Sequence, residues 1–345
     1  MGKQAFQKKI KSLFQTVSPI HNLGIFETSI THFSRIVPLT AGSYQRKDRL
    51  KWSVLKAAQK LFEKTCYKVL NVRFVASFVS VFLKAYDARI TSFIFVSTTG
   101  RSGSESLSRI FNVCSDTCAC HEPRPVMHGE AMNLKNRGLP FRMQKKYPSK
   151  LASIRLRARG HQFYVETNHM FIKSFVDPVV QAFRDRVTII HLVRDPVDVA
   201  KSLYLLGVIP GTRRGNKWSL DYDAQENLIK LSDYLRGETF SHDFYKCLWY
   251  WYEIEARTIY YKKKYPDIKY VEFKTEDLSN IKEVSALLDE LGMRYDRERL
   301  RKIVARRHNQ KKERKKADDI GDAGFRKMNE KFLALLNTVS ILHKE

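Results

Sequence analysis

Residues 92–111 read SFIFVSTTGRSGSESLSRIF. The opening run, 92–98, is β-branched, aromatic or small, the composition of a strand buried on both faces of a parallel sheet. A turn holding Gly100 and Gly103 follows, and helical spacing of apolar residues then predicts a helix over 104–112. Strand, glycine turn and helix together point free backbone N–H groups at an anion, because the first amides of a helix lack intrahelical acceptors. The amides of Gly103, Ser104, Glu105 and Ser106 are the expected donors. Ser102, Ser104 and Ser106 add hydroxyls along the same arc. No Gly-Lys-Ser/Thr follows at the spacing of a nucleoside triphosphatase loop, so the residue that would hold magnesium is missing. Arg101 stands in place of the lysine and comes before the tight turn.

Outward from this stretch, the runs 163–167 (FYVET), 187–193 (VTIIHLV) and 268–273 (IKYVEF) share the character of 92–98. Helical patterns over 170–183, 196–206 and 242–265 separate them, and one over 282–291 follows the last. Such alternation predicts an α/β fold, a P-loop-like three-layer arrangement with a central parallel sheet and ligands at the carboxyl ends of its strands. Residues 123–162 and 207–241 are basic and poorly periodic, and they read as long loops that shape or cap an acceptor site. Apolar residues at helical spacing between 48 and 84 predict a helical N-terminal arm over 1–90, leaving 91–345 as the α/β domain with a basic C-terminal segment.

The chain has 345 residues, 43% apolar and 12% aromatic, with a formal net charge of +26. That composition belongs to a globular protein with anionic partners. Five cysteines are too few and too unevenly spaced for a disulfide-stapled scaffold, and a reducing, cytoplasmic setting is the simpler expectation. The leader MGKQAFQKKIKSLF is basic and lacks the apolar core of a secretory signal. It equally has the composition of an organelle-targeting peptide, so that alternative stays open. The uninterrupted part of the best apolar stretch, 74–86, is about half of the ~20 residues a membrane span needs, so no transmembrane segment is expected. Basic helices in the arm suit either packing on the main domain or peripheral contact with a membrane.

A second motif lies at the end of 187–193, where HLV runs into Arg194-Asp195-Pro196 and the following helix carries Ser202. Pro196 suits the first turn of a helix and Asp195 its N-cap. Arg194 offers a bidentate guanidinium for a phosphate, the alternative being a salt bridge to Asp195 or Asp198.

The loop from Phe95 to Ser104 resembles the 5′-phosphosulfate loop of sulfotransferases, and its Arg-Ser-Gly-Ser form looks more like the carbohydrate and protein-tyrosine branches than the cytosolic small-molecule branch. LVRDPVDVAKSLY resembles the family's 3′-phosphate motif, with Arg194 and the serine eight residues later, Ser202, in the matching positions. YVEFKTEDL (270–278) is similar to a Glu-Asp-Leu strand end of the family, with a structural role expected. The resemblance covers residues 91–292. It implies 3′-phosphoadenosine 5′-phosphosulfate as co-substrate, no required metal, and sulfuryl transfer to a hydroxyl or amine of a carbohydrate, lipid or small molecule. Nucleic acid is not an expected partner. The alternatives are a non-catalytic anion-binding module for glycan, membrane or nucleic acid, and a P-loop kinase-like phosphotransferase.

Sulfuryl transfer is an in-line displacement. It needs aligned ends, a charge to stabilise the leaving phosphate, and a base for the acceptor proton. Arg101 is the expected electrophile. The resemblance implies Glu122, in CACHEPRPVMHGE, as the base, because the related branches carry a catalytic glutamate about twenty residues beyond the loop's basic residue. An ion pair with Arg124 is the competing reading of Glu122. His169 or Glu166 in VETNH is the next choice of base, then His121 and His128, with Thr167 and Asn168 as possible acceptor contacts. Cys114, Cys118, Cys120 and His121 raise a metal site, but their spacing fits no standard zinc knuckle, so the thiols read as small core residues. A strand there would set Cys118 and Cys120 on one face. Residues 299–316 carry ten Lys/Arg against one Glu. They suit a solvated helix, a donor-closing segment through Arg306, Arg307, Lys311 or Arg314, or an anion-recruiting surface. The cluster LWYWYEIE (248–255) reads as a core helix.

Overall fold

The computed structural model describes residues 89–139, 146–305 and 320–342. The expected N-terminal arm, the apolar stretch 74–86, and Arg306, Arg307, Lys311 and Arg314 lie outside the described residues. In chain order the elements are β1 Ser92–Ser97, α1 Ser104–Phe111, β2 Thr117–His121, α2 Glu130–Asn136, α3 Lys146–Ala158, β3 Phe163–Thr167, α4 Val176–Phe183, β4 Val187–Val193, α5 Pro196–Leu205, α6 Ser232–Arg236, α7 Asp243–Lys264, β5 Lys269–Lys274, α8 Ile281–Glu290, α9 Arg297–Val304 and α10 Asp322–Leu342.

All five strands are parallel and lie in the order β2-β3-β1-β4-β5. The expected α/β fold is therefore present, and its three layers follow from strand alternation. On β1, Phe93 and Phe95 enter one core and Ile94 and Val96 the other; on β4, Ile189 and Ile190 divide in the same way. The first core packs under α3, α4, α5, α7 and α10, the second under α1, α8 and α9. Phe93 stacks on Phe183 and Phe95 on Phe171, with ring centroids 3.9 and 4.8 Å apart. Each fully buried ring contributes about 1.5–3 kcal/mol. The order places β1 centrally, with its successors running to opposite sides. Its carboxyl end is thus the crevice where an open α/β sheet takes a ligand. No described helix is long and apolar enough to cross a membrane.

Two expectations need correction. Residues 123–162 are not all loop, because they hold α2 and α3. The inward face of α3 carries Lys150 and Arg155 among its buried residues, so polar side chains interrupt the apolar period that would have announced the helix. Nor is 170–183 one continuous α-helix: it opens with a wider π turn, Phe171–Phe175, before α4 begins. That turn buries all five of its residues, Lys173 included. The segment 207–241 is mainly loop, as expected, with α6 and short 3₁₀ turns.

Candidate active site

The loop after β1 turns on three left-handed residues, Gly100 at φ 87°, Arg101 at φ 59° and Gly103 at φ 78°. Gly103 precedes α1, and no side chain caps the helix's first amides. A Cβ on Gly103 would stand 2.5 Å from Leu278 Cδ1, so the glycine is needed for space as well as for φ. The Thr99 and Ser102 hydroxyls bond within the loop: each donates to the Gly100 carbonyl, at 2.9 and 3.1 Å. Ser102 is buried, so its hydroxyl tightens the loop instead of facing a ligand as expected.

The two predicted phosphate motifs meet. Arg101 Nε donates to Ser202 Oγ at 2.8 Å, and Arg194 Nη1 donates to the Arg101 carbonyl at 2.8 Å. Asp195 caps α5 by accepting from the Asp198 amide at 3.0 Å, with Pro196 in the first turn. Arg194 also bonds Asp198 Oδ2 at 3.1 Å, so the salt bridge weighed as an alternative forms alongside the loop contact. Two guanidinium groups, from the loops after β1 and β4, and the Ser202 hydroxyl of α5 therefore converge beside an uncapped helix N-terminus.

Supports for both loops come from places whose motifs gave no functional signal. Tyr250 of α7 donates its hydroxyl to the Thr99 carbonyl at 2.8 Å, and the adjacent Trp251 donates Nε1 to the Arg194 carbonyl at 3.0 Å. The aromatic cluster is a core helix, as expected, and it also pins the two phosphate loops to one rigid element. The Glu-Asp-Leu segment buttresses the first loop: Thr275 Oγ1 donates to the Ser102 carbonyl at 2.9 Å, and Leu278 lies against Gly103.

Glu122 follows β2 with φ 45°, a conformation costly for a residue with a side chain and typical of functional positions. Its Oε1 lies 3.3 Å from His169 Nε2 and 4.0 Å from His121 Nε2. The competing ion pair with Arg124 is not formed. His169 in turn packs on the loop, its Nδ1 3.1 Å from where a Gly100 Cβ would sit. Lys173, one helical turn further on, lies 2.7 Å from His169 Nδ1. The Lys173 ammonium also donates to the Trp218 carbonyl at 2.6 Å and to the Tyr250 hydroxyl at 2.8 Å. His169 thus meets Lys173 at Nδ1 and Glu122 at Nε2. Burial first, then the Lys173 charge, pushes His169 well below its ordinary imidazole value. Burial also pushes Lys173 well below the usual lysine range, against the opposing pull of Glu122. Sequence reasoning missed Lys173. Its trace is the i, i+4 spacing from His169, which only a helical turn at that point makes meaningful.

The remaining base candidates are committed elsewhere. Glu166 is fully buried and accepts from Lys150 Nζ, from the Tyr164 hydroxyl at 2.8 Å and from Asn168 Nδ2 at 2.8 Å. Asn168 is consumed in that network and accepts from the Met170 amide at 2.9 Å. Thr167 is buried, with its hydroxyl 3.0 Å from His121 Nδ1. Glu166, Thr167 and Asn168 are thus structural, correcting their expected roles as base and acceptor contacts. A strand end buried on both faces hides its side chains from the mouth of the sheet. His128 lies against Trp218, ring centroids 4.4 Å apart. Cys118 and Cys120 share a face of β2 but are only half-buried, and just Cys114 sits within the core as expected. Among the described residues, no three His, Cys, Asp or Glu side chains gather as a metal would require.

A family model described as the sulfotransferase domain matches residues 92–331. That span takes in both phosphate loops and all five strands. The chain belongs to the sulfotransferase family. A solved structure similar to this sulfotransferase is that of a sulfotransferase from Alicyclobacillus acidocaldarius, 16% identical over 63% of this chain and 86% of that one, with a TM-score of 0.37. No curated protein matches it. Membership makes the protein an enzyme that transfers a sulfuryl group from a sulfate donor to an acceptor, and the loops after β1 and β4 lie at the sheet's switch point, where the fold class binds ligands.

Proposed function

We propose that this sulfotransferase takes its sulfuryl group from 3′-phosphoadenosine 5′-phosphosulfate and delivers it to an acceptor hydroxyl or amine activated by Glu122. The observation that carries this reading is the convergence of the two phosphate loops, Arg101 on Ser202 and Arg194 on the Arg101 carbonyl. A ligand bearing phosphates at two ends suits such a pair of loops, whereas one loop would suffice for a single phosphate. The residues fit the donor: uncapped amides at the start of α1 suit the 5′ end, and Arg194 with Ser202 suits the 3′-phosphate.

Each residue then has a definite task. Amides of Gly103, Ser104, Glu105 and Ser106 hold the phosphosulfate, with Gly100 and Gly103 supplying the left-handed turns that aim them. Arg101 stabilises the charge that grows on the leaving phosphate oxygen as the bond to sulfur lengthens. Glu122 accepts the acceptor's proton as its oxygen or nitrogen attacks sulfur in line. His169 holds the Glu122 carboxylate through Nε2–H, and Lys173 holds His169 in that tautomer. A neutral His169 leaves the carboxylate a stronger base than an imidazolium neighbour would. The acceptor is proposed to be a carbohydrate, lipid or small molecule reached from the side of His128 and Trp218.

Calorimetric titration with 3′-phosphoadenosine 5′-phosphate, AMP and ATP tests the donor assignment. Selective binding of the bisphosphate is expected, weakened roughly ten- to a hundredfold in Arg194→Ala, the value of a charge-assisted hydrogen bond. Equal binding of all three nucleotides, or an unchanged affinity in the variant, sinks it.

A further inference from the structure

β2 is the edge strand of the sheet, and it ends one residue before Glu122. Cys118 and Cys120 lie on one face of it, both half-buried and both present as thiols. Their sulfurs are 3.8 Å apart, in hydrogen-bonding contact. Arg157 of α3 points Nη1 at Cys120 Sγ from 3.9 Å. The Cys118 hydrogen bond, working against burial, holds Cys120 below its ordinary thiol value, and Arg157 adds to that effect. The two other described cysteines contrast with this pair. Cys114 is buried and its thiol is pushed up to about 12, and Cys247 is buried and raised as well.

We propose that Cys118 and Cys120 form a reversible dithiol–disulfide site, oxidised by small-molecule disulfides, that sets the position of Glu122. It rests, for its effect on catalysis, on the reading of Glu122 given above. The Cys120 thiolate attacks one sulfur of the small disulfide, forming a mixed disulfide and expelling one thiolate. The Cys118 thiolate then attacks the protein sulfur of that mixed disulfide and expels the second small thiol. Two protein thiols are oxidised, one external disulfide is reduced to two thiols, and the thiol protons pass to the leaving thiolates.

Closure requires the strand to shorten. Residues two apart on a strand stand about 6.6 Å apart at both Cα and Cβ, whereas a disulfide spans about 3.5–4.5 Å between Cβ atoms. Bringing the sulfurs from 3.8 Å to bonding distance therefore draws the end of β2 together. A strained bridge of this kind is readily reduced, the property of a regulatory and not a structural disulfide. The residue that absorbs the movement is Glu122, already held at φ 45° and positioned by one 3.3 Å contact to His169.

The test equilibrates the full-length protein in glutathione buffers from fully reduced to fully oxidised, followed by acid quench, alkylation and peptide mass spectrometry. The peptide carrying both cysteines is expected to lose two hydrogens reversibly, and neither Cys118→Ser nor Cys120→Ser should form this bridge. In the same samples, the His169 imidazole resonance should shift on oxidation of the wild type and stay fixed in both variants. Affinity for 3′-phosphoadenosine 5′-phosphate should change little. A pair that stays reduced in fully oxidised glutathione, or stops at a mixed disulfide, overturns the site. A disulfide that forms without moving His169 overturns its coupling to Glu122. Failure of the reduced protein to bind the bisphosphate counts against the donor reading alone, since the mass change is read without it.

Discussion

Glu122, His169 and Lys173 form a chain of contacts. Lys173 Nζ reaches the Trp218 carbonyl, the Tyr250 hydroxyl and His169 Nδ1, and His169 Nε2 faces the carboxylate. Replacing Glu122 by glutamine removes the proposed base without removing bulk. A loss of roughly 10²–10⁴ in kcat is expected, the usual contribution of a general base, with bisphosphate affinity unchanged. Full turnover in that variant would assign the proton to another group. Lys173→Met keeps the packing of the stem and deletes the charge. One of the causes that depress His169 then disappears, so its imidazole pKa should rise, read directly by NMR titration. A structural lysine with no hold on His169 would leave that titration unmoved.

At the scale of elements, the site is an arrangement of loop ends held by a helix behind them. α7 donates from Tyr250 to the loop after β1 and from Trp251 to the loop after β4, tying both to one helix. The first loop is also clamped from β5's end by Thr275 and Leu278. Gly103→Ala meets two obstacles there, the left-handed φ of 78° and the Leu278 methyl at 2.5 Å. The backbone part alone costs about 1–2 kcal/mol. Adding Leu278→Ala should relieve the steric part and leave the backbone part, so the double variant is expected to recover only some of the lost melting temperature. Complete recovery would mean that φ is not a constraint at Gly103.

The whole molecule carries its histidines at a cost in acid. Burial sets His128, His161 and His169 below the ordinary value of 6.5. As pH falls through 6.5 the unfolded chain takes up these protons and the folded chain does not. The unfolded state then binds more protons, so stability must fall with pH across that range. A fully neutral His169 contributes a loss of up to about 1.4 kcal/mol per pH unit. Denaturant titrations at about pH 7.5 and 5.5 should show that decline, shallower in His169→Gln. An equal decline in the variant would remove His169 as its source.

The strand-turn-helix form of both loops was legible in the sequence because each is local. A buried strand, a short turn and a helix start are fixed by neighbouring residues, and glycine, proline and capping aspartate mark their joints at Gly103, Pro196 and Asp195. Four strands of the parallel sheet followed from the same alternation; β2 was not among those runs, and α3 was hidden because Lys150 and Arg155 break its apolar period. Tertiary structure alone decided which polar residues face the site. Glu166 and Asn168 stand one to three residues from His169, yet they are spent on Lys150 of α3 and the Val126 carbonyl. Lys173, Tyr250 and Thr275 belong to helices and strand ends far from the loops in sequence, and they reach them only across the packed core. Sequence spacing determines where a glycine turn meets a helix start; the burial that spends Glu166 inside the fold and leaves Glu122 part-exposed beside His169 arises from contacts between distant segments.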